Sequence, residues 1–453
     1  MPNTPHPQND LLIRSILQVL GPQFHCEQAR EEGRHQGPRQ KILQWQLLVG
    51  LIAQQVQFHG CVAANFAALF GVDITDAALS QRRAKLGIEP FASVVRHALR
   101  PLAEAHRHPG CFFAGLRLLG LDGTTLSLRN TTQNNARVKK AHTRRGLAAF
   151  GKAGLCALIE LGTHAPVGAA LGLDGQSELA LAAQSLPQMP ARSLLLIDRL
   201  YGQGPFVAQL AEVCAARESH FLVRVRGKLR VEKRRVLPDG SAWVEVRVCA
   251  PQKPRRVLRT ERVREIRARV WNRREKKWSD VRLWTSLGPE QARPAELVAL
   301  YARRWEQEIF YKELKIQLRG CALLRGGTPV SAVQEMLALL VAGALLAGER
   351  LAAAASAGPA VAKAGAVRIS FGACHAQMVA LWTVLAAGRG LFDAATEAAL
   401  IERVRAQLAR QALRVRRPRS CERKVRQSVK KWPRMLTPTS LTSPTRYELL
   451  SIA

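Results

Sequence analysis

Apolar positions recur at helical spacing through roughly the first hundred residues of the chain. The segments QKILQWQLLVGLIAQQV and CVAANFAALF each place their apolar side chains on one face of a helix. A glycine and a short turn separate the second segment from another helix, which we expect to begin near Thr75 or Asp76. Residues 1–112 are therefore predicted to form an all-helical N-terminal domain.

The pattern changes to that of strands after residue 112. The segments LRLLGLDGTTLSL, GLCALIEL and PVGAALGL predict three strands, and a helix, the strand SLLLID, a second helix and the strand HFLVRV follow. Three strands, helix, strand, helix, strand is the order of a ribonuclease-H-like α/β core. We assign this core to residues 113–226 and 287–358.

Two further regions complete the predicted architecture. Residues 227–286 alternate apolar and charged side chains, which is typical of antiparallel strands with one solvated face and predicts a β-rich insertion that interrupts the core. Helical spacing resumes at Pro294 and runs to about Leu318, and a second, largely apolar helix is predicted from about Ser331 to Ala355. Residues 359–453 are expected to form a helical, basic C-terminal region.

The charge balance narrows the choice of partner. The chain has 68 Lys and Arg residues against 34 Asp and Glu residues, a formal net charge of +34, which favours nucleic acid. A membrane is not expected, because the apolar run from Met336 to Gly348 is shorter than the ~18–20 residues of a spanning helix. The N-terminus has no secretory-signal pattern and the nine cysteines are scattered singly, so we expect a cytoplasmic, nucleoid-associated protein with reduced thiols.

Two carboxylates lie in apolar segments of the predicted core. Asp122 is in the middle of the first strand, and Asp198 ends the run LLLI. A carboxylate in a buried strand is costly unless it is paired or bound to a metal. Either residue alone is more often a cap or a turn residue, but together, on neighbouring central strands, they indicate a functional pair.

The segment YARRWEQEIFYKELK carries the most specific pattern. Arg304, Glu308 and Lys315 follow Tyr301 by three, seven and fourteen residues, which places all four within about 60° on one face of a helix. A surface helix with salt bridges explains the arginine and the glutamate but not the whole stripe. The stripe suits a carboxylate that reaches a metal while its neighbours hold phosphates.

The Tyr-x2-Arg-x3-Glu-x6-Lys pattern resembles the signature of the insertion sequence 4 family of bacterial cut-and-paste transposases, which are of the DDE type. The segments LDGTTLSL and IDRLYG resemble the family's two aspartate strands, and IELGTHAPVGAAL resembles the hairpin between them. A β insertion before the signature and VQEMLALLVAGALL after it also match. The resemblance covers roughly residues 40–350.

The resemblance implies roles for individual residues. Asp122, Asp198 and Glu308 would be the catalytic triad that binds two Mg²⁺ ions, for which Mn²⁺ can substitute. Around this triad, the residues that would hold the DNA backbone are Tyr301, Arg304, Lys312, Lys315 and Arg199. Relatives can hold a flipped base with a tryptophan of the insertion, for which Trp278 is the nearest match and Trp284 another.

Further DNA contacts are expected outside the signature. The second helix of the N-terminal pair carries Arg82 and Arg83, which would enter a major groove if the pair is a helix-turn-helix unit. An ordinary helical hairpin with a solvated basic face has the same pattern. Lys139 and Lys140 lie in the long basic loop after the first strand.

The activity implied is that of a transposase that binds the terminal inverted repeats of its insertion sequence, cleaves the DNA ends and joins them to target DNA. It would act on double-stranded DNA as a homodimer in a synaptic complex. Leu400, Val404, Leu408 and Leu413 approximate one helical face that we expect to join two copies. Two alternatives stay open: a catalytically inactive, transposase-derived DNA-binding protein, and a ribonuclease-H-like nuclease or resolvase.

Overall fold

The computed structural model describes residues 11–22, 24, 42–57, 61–143, 146–173, 175–226, 229, 231, 232, 234–250, 253–272, 277–388 and 390–414. The elements that position the site belong to one compact unit, formed by Met1–Val270 and Ser279–Arg414. The basic tail beyond Arg414, in which we expect DNA contacts, lies outside the described residues.

The described part of the N-terminal region is mainly helical as far as Ala98. Its helices are α1 (Leu11–Leu20), α2 (Gln44–Gln57), α3 (Val62–Phe70), α4 (Asp76–Leu86) and α5 (Glu89–Ala98). Gly71 ends α3 in the left-handed conformation, and the Thr75 hydroxyl accepts a hydrogen bond from the Ala78 N–H at the start of α4. The predicted turn and second helix are confirmed, whereas residues 99–108 are not helical.

A mixed ten-stranded sheet forms the centre of the described structure. The strands are β1 (Phe112–Phe113), β2 (Leu116–Ser127), β3 (His142–Thr143), β4 (Gly146–Leu147), β5 (Lys152–Glu160), β6 (Pro166–Gly172), β7 (Ser193–Ile197), β8 (His220–Arg224), β9 (Arg234–Val236), β10 (Ala242–Ala250), β11 (Lys253–Asn272) and β12 (Lys277–Thr285). They lie in the order β6-β5-β2-β7-β8-β12-β11-β10-β9, with β1 beside β2, while β3 and β4 form a separate hairpin.

The first half of this sheet has the predicted order of elements. β2, β7 and β8 run parallel, and β5 runs antiparallel to both β2 and β6. Helix α6 (Thr132–Arg137) follows β2, α7 (Glu178–Ser185) connects β6 to β7, and α8 (Gly204–Ala215) connects β7 to β8. This mixed sheet with its connecting helices is consistent with a ribonuclease-H-like DDE domain.

The strands of the insertion extend the core sheet and do not form a layer of their own. β12 pairs antiparallel with β8, placing Trp284 opposite Val223, and β11, β10 and β9 continue outward from it. Local alternation predicts strands but not their partners, so this continuity was not foreseen. The antiparallel pairing explains why the core and the insertion share one hydrogen-bonded network.

The remaining helices are α9 (Pro294–Tyr301), α10 (Trp305–Lys312), α11 (Pro329–Ser356), α12 (Pro359–Ala364), α13 (Phe371–Ala387) and α14 (Ala394–Arg410). By length and composition α11 could cross a membrane, but 89% of its apolar window is buried inside the protein. It packs against α2 and α5 on one side and α14 on another. The predicted apolar helix is therefore the core helix that joins the N- and C-terminal regions.

Three of the four residues of the apolar face expected to join two copies pack inside the chain. Leu408 is 2% exposed, and Leu400 and Val404 pack against the main hydrophobic core. Arg405, on the same helix α14, forms a 3.0 Å ion pair with Glu349 of α11. Leu413, the fourth residue of the predicted face, is 46% exposed, and pairing of two copies through this region stays a prediction.

Candidate active site

Parallel pairing of β2 and β7 brings the first two predicted acids together. Leu121 of β2 lies opposite Ile197 of β7, so Asp122 and Asp198, which follow them, occupy neighbouring positions on adjacent strands. β7 ends at Ile197, and a 3₁₀ turn over Arg199–Tyr201 follows. Both aspartates thus lie at the carboxyl end of β7, the edge of an α/β sheet where functional groups commonly gather.

The signature segment is a continuous path of four helical pieces. α9 ends at Tyr301, a 3₁₀ turn covers Ala302–Arg304, α10 runs to Lys312, and a π-helical segment covers Glu313–Leu318. Because a π-helix winds through fewer degrees per residue than an α-helix, the regular spacing assumed for the stripe does not extend through its last part. The predicted helical bounds, Pro294 to about Leu318, are confirmed, whereas the regular α-helical geometry assumed for the stripe is interrupted by the 3₁₀ turn and by the π segment. Segments of π-helix are frequent at functional sites.

Arg304 links the third predicted acid to the first two. Its guanidinium donates a hydrogen bond to Glu308 Oε1 at 2.6 Å, and its other terminal nitrogen lies 3.8 Å from Asp122 Oδ2. The Asp198 and Glu308 carboxylates both raise the pKa of Arg304, against the effect of burial. The guanidinium therefore lies among all three acids.

Tyr301 and Lys315 contact the two central strands. The Tyr301 hydroxyl donates a hydrogen bond to the Ile197 carbonyl at 3.2 Å, directly before Asp198. The Lys315 ammonium donates to the Thr124 hydroxyl at 2.5 Å, two residues after Asp122. All the predicted stripe residues thus lie against the sheet or against one another, and the exposed Arg199 and Lys312 lie at the margin of the same region.

The electrostatics of Asp122 suit a cation. Burial raises its pKa to about 6, the Gly123 N–H opposes this by a hydrogen bond at 2.9 Å, and the nearby Glu178 and Asp198 carboxylates add to it. The donors are all carboxylate oxygens, the ligands that Mg²⁺ and Mn²⁺ prefer. Among the described residues no three such side chains already converge on one point. Because Arg304 lies between Asp122 and Glu308, it would have to move for a metal to bind both.

Three residues of this site were missed in the sequence. The Tyr311 hydroxyl donates to the Asp122 carbonyl at 2.5 Å and accepts from the Ala157 N–H at 3.1 Å, which ties α10 to β2 and β5. Lys152 is close enough to lower the pKa of Lys315, after the larger effect of burial. Glu178, on α7, lies beside Asp122. Tyr311 follows Glu308 by three residues and could have been found from that spacing, whereas Lys152 and Glu178 depend on strand pairing.

The opposite face of α10 carries a second cluster of charges, which we call the back network. It consists of His164, Arg303, Glu306, Glu313 and Arg350. His164 Nδ1 lies 2.7 Å from Glu313, and Glu306 pairs with Arg303 at 2.7 Å. Burial alone would lower the pKa of His164, but the two glutamates raise it to about 9. The network joins the β5–β6 hairpin to the signature segment.

The other predicted DNA contacts differ in availability. Lys139 is exposed and Lys140 half-buried, whereas the Arg82 guanidinium donates to the Ile42 carbonyl. Arg83 donates to the Gln334 side chain at 3.2 Å and to a backbone carbonyl at the start of α11, and burial lowers its pKa. This internal pairing argues against the expected DNA contact of Arg83, because the second helix is docked on α11.

The two tryptophans of the insertion have opposite environments. Trp278 is 55% exposed, whereas Trp284 is fully buried and its indole N–H donates to Glu265 at 3.1 Å. Holding a base with Trp284 would mean removing it from the core. Of the two, only Trp278 has a ring face accessible from solvent.

Comparisons with known proteins identify the family of the chain. Residues 114–345, about half of the chain, match the transposase DDE domain family, and this range contains Asp122, Asp198 and Glu308. The chain is also 27% identical over 271 residues to the transposase InsG for insertion sequence element IS4 of Escherichia coli (strain K12). That alignment covers 59% of this chain and 60% of the length of the relative. The resemblance to the insertion sequence 4 family is confirmed, and the chain belongs to the transposase DDE domain family.

Proposed function

We propose that the chain is a DDE transposase that binds the terminal inverted repeats of its insertion sequence, cleaves the DNA ends and joins them to target DNA by two-metal phosphodiester transfer. The observation that carries this proposal is the arrangement of Asp122, Asp198 and Glu308 around Arg304 at one end of the central strands. The family membership and the transposase relative support the same reading.

The three acids would hold two Mg²⁺ or Mn²⁺ ions. When bound, such ions activate an attacking water or 3′-hydroxyl and neutralise the leaving oxygen. The protein's own contribution starts with burial, because a carboxylate whose pKa is raised to about 6, as that of Asp122 is, gains from a cation beside it. The hydrogen bond from Tyr311 to the Asp122 carbonyl fixes the strand that carries this acid.

The basic residues of the segment would hold the DNA backbone. Arg304 can exchange its carboxylate partners for a phosphate, which a guanidinium binds through two parallel hydrogen bonds. Lys315 and the neighbouring Lys152 supply point charges along β2, beyond the acids. Tyr301 would position the protein and not the DNA, because its hydroxyl donates a hydrogen bond to the end of β7 directly before Asp198.

The partners proposed are double-stranded DNA, as inverted-repeat ends and as target, and a second copy of the chain in a synaptic complex. The net charge of +34 supports the first of these, since phosphate neutralisation by Lys and Arg dominates DNA affinity. The place of action would be the cytoplasm, at the nucleoid.

The test is cleavage of a labelled duplex that carries the inverted repeat flanking the gene. The wild type is expected to nick the repeat end with Mg²⁺ or Mn²⁺ and not with a chelator. Asp122→Asn and Asp198→Asn should bind the end and not cut it, whereas Asp280→Asn, at a 91% exposed side chain in the insertion, should cut normally.

Three results would contradict the proposal. Cleavage without a divalent metal would exclude the two-metal mechanism. End binding without cleavage by the wild type would indicate a DNA-binding protein that is no longer catalytic. Cutting of branched DNA with no preference for the repeat ends would indicate a nuclease or resolvase.

A further inference from the structure

Glu178 is a carboxylate beside the site that the signature does not include. It is the first residue of α7, and its half-buried side chain accepts a hydrogen bond from the Tyr201 hydroxyl at 2.7 Å. Tyr201 belongs to the 3₁₀ turn that follows Asp198. Glu178 therefore contacts the element that carries the second aspartate.

The same side chain packs on the strand that carries the first aspartate. A Cβ atom at Gly123 would clash with Cγ and Cδ of Glu178 and would lie 2.9 Å from its Oε1. The glycine directly after Asp122 therefore lets the Glu178 side chain pack closely on the strand in its present conformation. Glu178 thus contacts both the residue that follows Asp122 on β2 and the turn that follows Asp198.

The surroundings of Glu178 differ from those of the buried glutamates in the described structure. Each of these pairs with an arginine: Glu160 with Arg117, Glu265 with Arg282, Glu313 with Arg350 and Glu335 with Arg319. Within the described residues Glu178 has the Tyr201 hydroxyl as its hydrogen-bond partner and forms no ion pair. A carboxylate held against another carboxylate without a cationic partner is unfavourable, and a shared cation is the direct remedy.

We propose that Glu178 is a fourth carboxylate of the metal site and holds a divalent cation together with Asp122. This inference rests on the proposed two-metal function. Tyr201 would fix one carboxylate oxygen, leaving the other for the metal or for a water bound to it. The role of Gly123 would then be to let Glu178 approach the strand.

The test measures Mn²⁺ binding to the full-length protein without DNA, by the loss of the free-ion electron paramagnetic resonance signal. Glu178→Gln keeps the acceptor for Tyr201 and removes the charge, and it is expected to weaken Mn²⁺ binding about tenfold or more. Glu212→Gln is the matched control, because Glu212 is a 60% exposed glutamate on the neighbouring helix α8. It should bind Mn²⁺ like the wild type, and circular dichroism should show all variants folded.

The outcomes separate this inference from the proposed function. Wild-type Mn²⁺ affinity in Glu178→Gln, together with lost binding in Asp122→Asn, would overturn the role of Glu178 and leave the triad intact. Wild-type affinity in Asp122→Asn as well would overturn both. Weakened binding in Glu178→Gln and in Asp122→Asn, with no change in Glu212→Gln, would support a site of four carboxylates.

Discussion

The two faces of the signature segment both carry glutamates and basic residues, but these groups have different surroundings on each face. On the back, Glu313 is buried and Glu306 is half-buried, with a side chain 16% exposed, and each is paired with basic groups of the back network. On the front, Glu308 is 38% exposed and shares one arginine with Asp122. On the front, three acids surround the single guanidinium of Arg304, whereas on the back three basic groups face two glutamates.

The pKa values of Glu306 on the back and of Asp122 on the front differ in the same way. The paired groups of the back network lower the pKa of Glu306 to about 2 despite its burial. At the front, burial raises the pKa of Asp122 to about 6, and neighbouring acids add to the rise. A carboxylate on the back therefore stabilises the folded chain in its charged form, whereas the charged form of Asp122 destabilises it. We therefore expect the back face of the segment to contribute stability and the front face to contribute the proposed chemistry.

The largest expected effect on stability comes from breaking the back network. His164→Ala leaves the Glu313 and Glu306 carboxylates buried without their imidazolium, and it should lower the free energy of unfolding by about 3–5 kcal/mol in denaturant titrations at pH 7. His106→Ala, at a 74% exposed histidine, is the control and should change it by less than about 0.5 kcal/mol. Equal effects of the two substitutions would mean that the network contributes nothing.

The same histidine predicts a pH dependence. Its pKa is raised above the ordinary value of about 6.5, to about 9 in the folded chain. Its contribution is therefore complete below about pH 6.5 and is lost as the pH rises through about 9. The wild type should lose stability across that window, and His164→Ala should not show this loss.

Substitution of Asp122, on the front face, should increase the stability that substitution of His164 decreases. Because the pKa of Asp122 is raised to about 6, its charged form opposes folding above the pKa of a free aspartate. Asp122→Asn should raise the free energy of unfolding by about 1–3 kcal/mol at pH 7, with the difference gone near pH 3. A variant less stable than the wild type at pH 7 would show that Asp122 is already compensated within the protein.

Substitutions of Arg304 and Tyr301 should have smaller effects, which differ between cleavage and stability. Arg304→Lys keeps the charge but loses the planar fork that can bind Glu308 or a phosphate, so end cleavage should fall about tenfold. Tyr301→Phe loses one hydrogen bond to the Ile197 carbonyl, a change of about 0.5–1.5 kcal/mol in unfolding free energy. Single-turnover cleavage and denaturation of each variant would test this order. A stronger effect on cleavage of Tyr301→Phe than of Arg304→Lys would reverse the assignment.

Local patterns were sufficient for the order of core elements and for the positions of Asp122 and Asp198, because alternation and apolar runs depend on neighbouring residues. The start of α4 followed from its capping residue Thr75. Features that depend on distant pairing could not be predicted. The extension of the sheet through β12 and the docking of Arg83 on α11 both arise from contacts between remote parts of the chain.

The approach of Glu178 to Gly123 is of the same kind, since these residues meet only when α7 packs across β2. A glycine after an aspartate in a strand is by itself a weak signal. The signature stripe was informative because all its residues lie within one short segment of the sequence. Lys152 and Glu178 were missed because they lie far from that segment in the sequence.

The most direct measurement compares two glutamates that are two residues apart on α10. Glu308→Gln and Glu306→Gln make the same chemical change on opposite faces of the helix. Single-turnover cleavage of inverted-repeat DNA, at a temperature where both variants are folded, should fall on the order of a hundredfold or more in Glu308→Gln and change less than about threefold in Glu306→Gln. Equal losses in the two variants, or a larger loss in Glu306→Gln, would contradict the division of the segment into a catalytic face and a stabilising face.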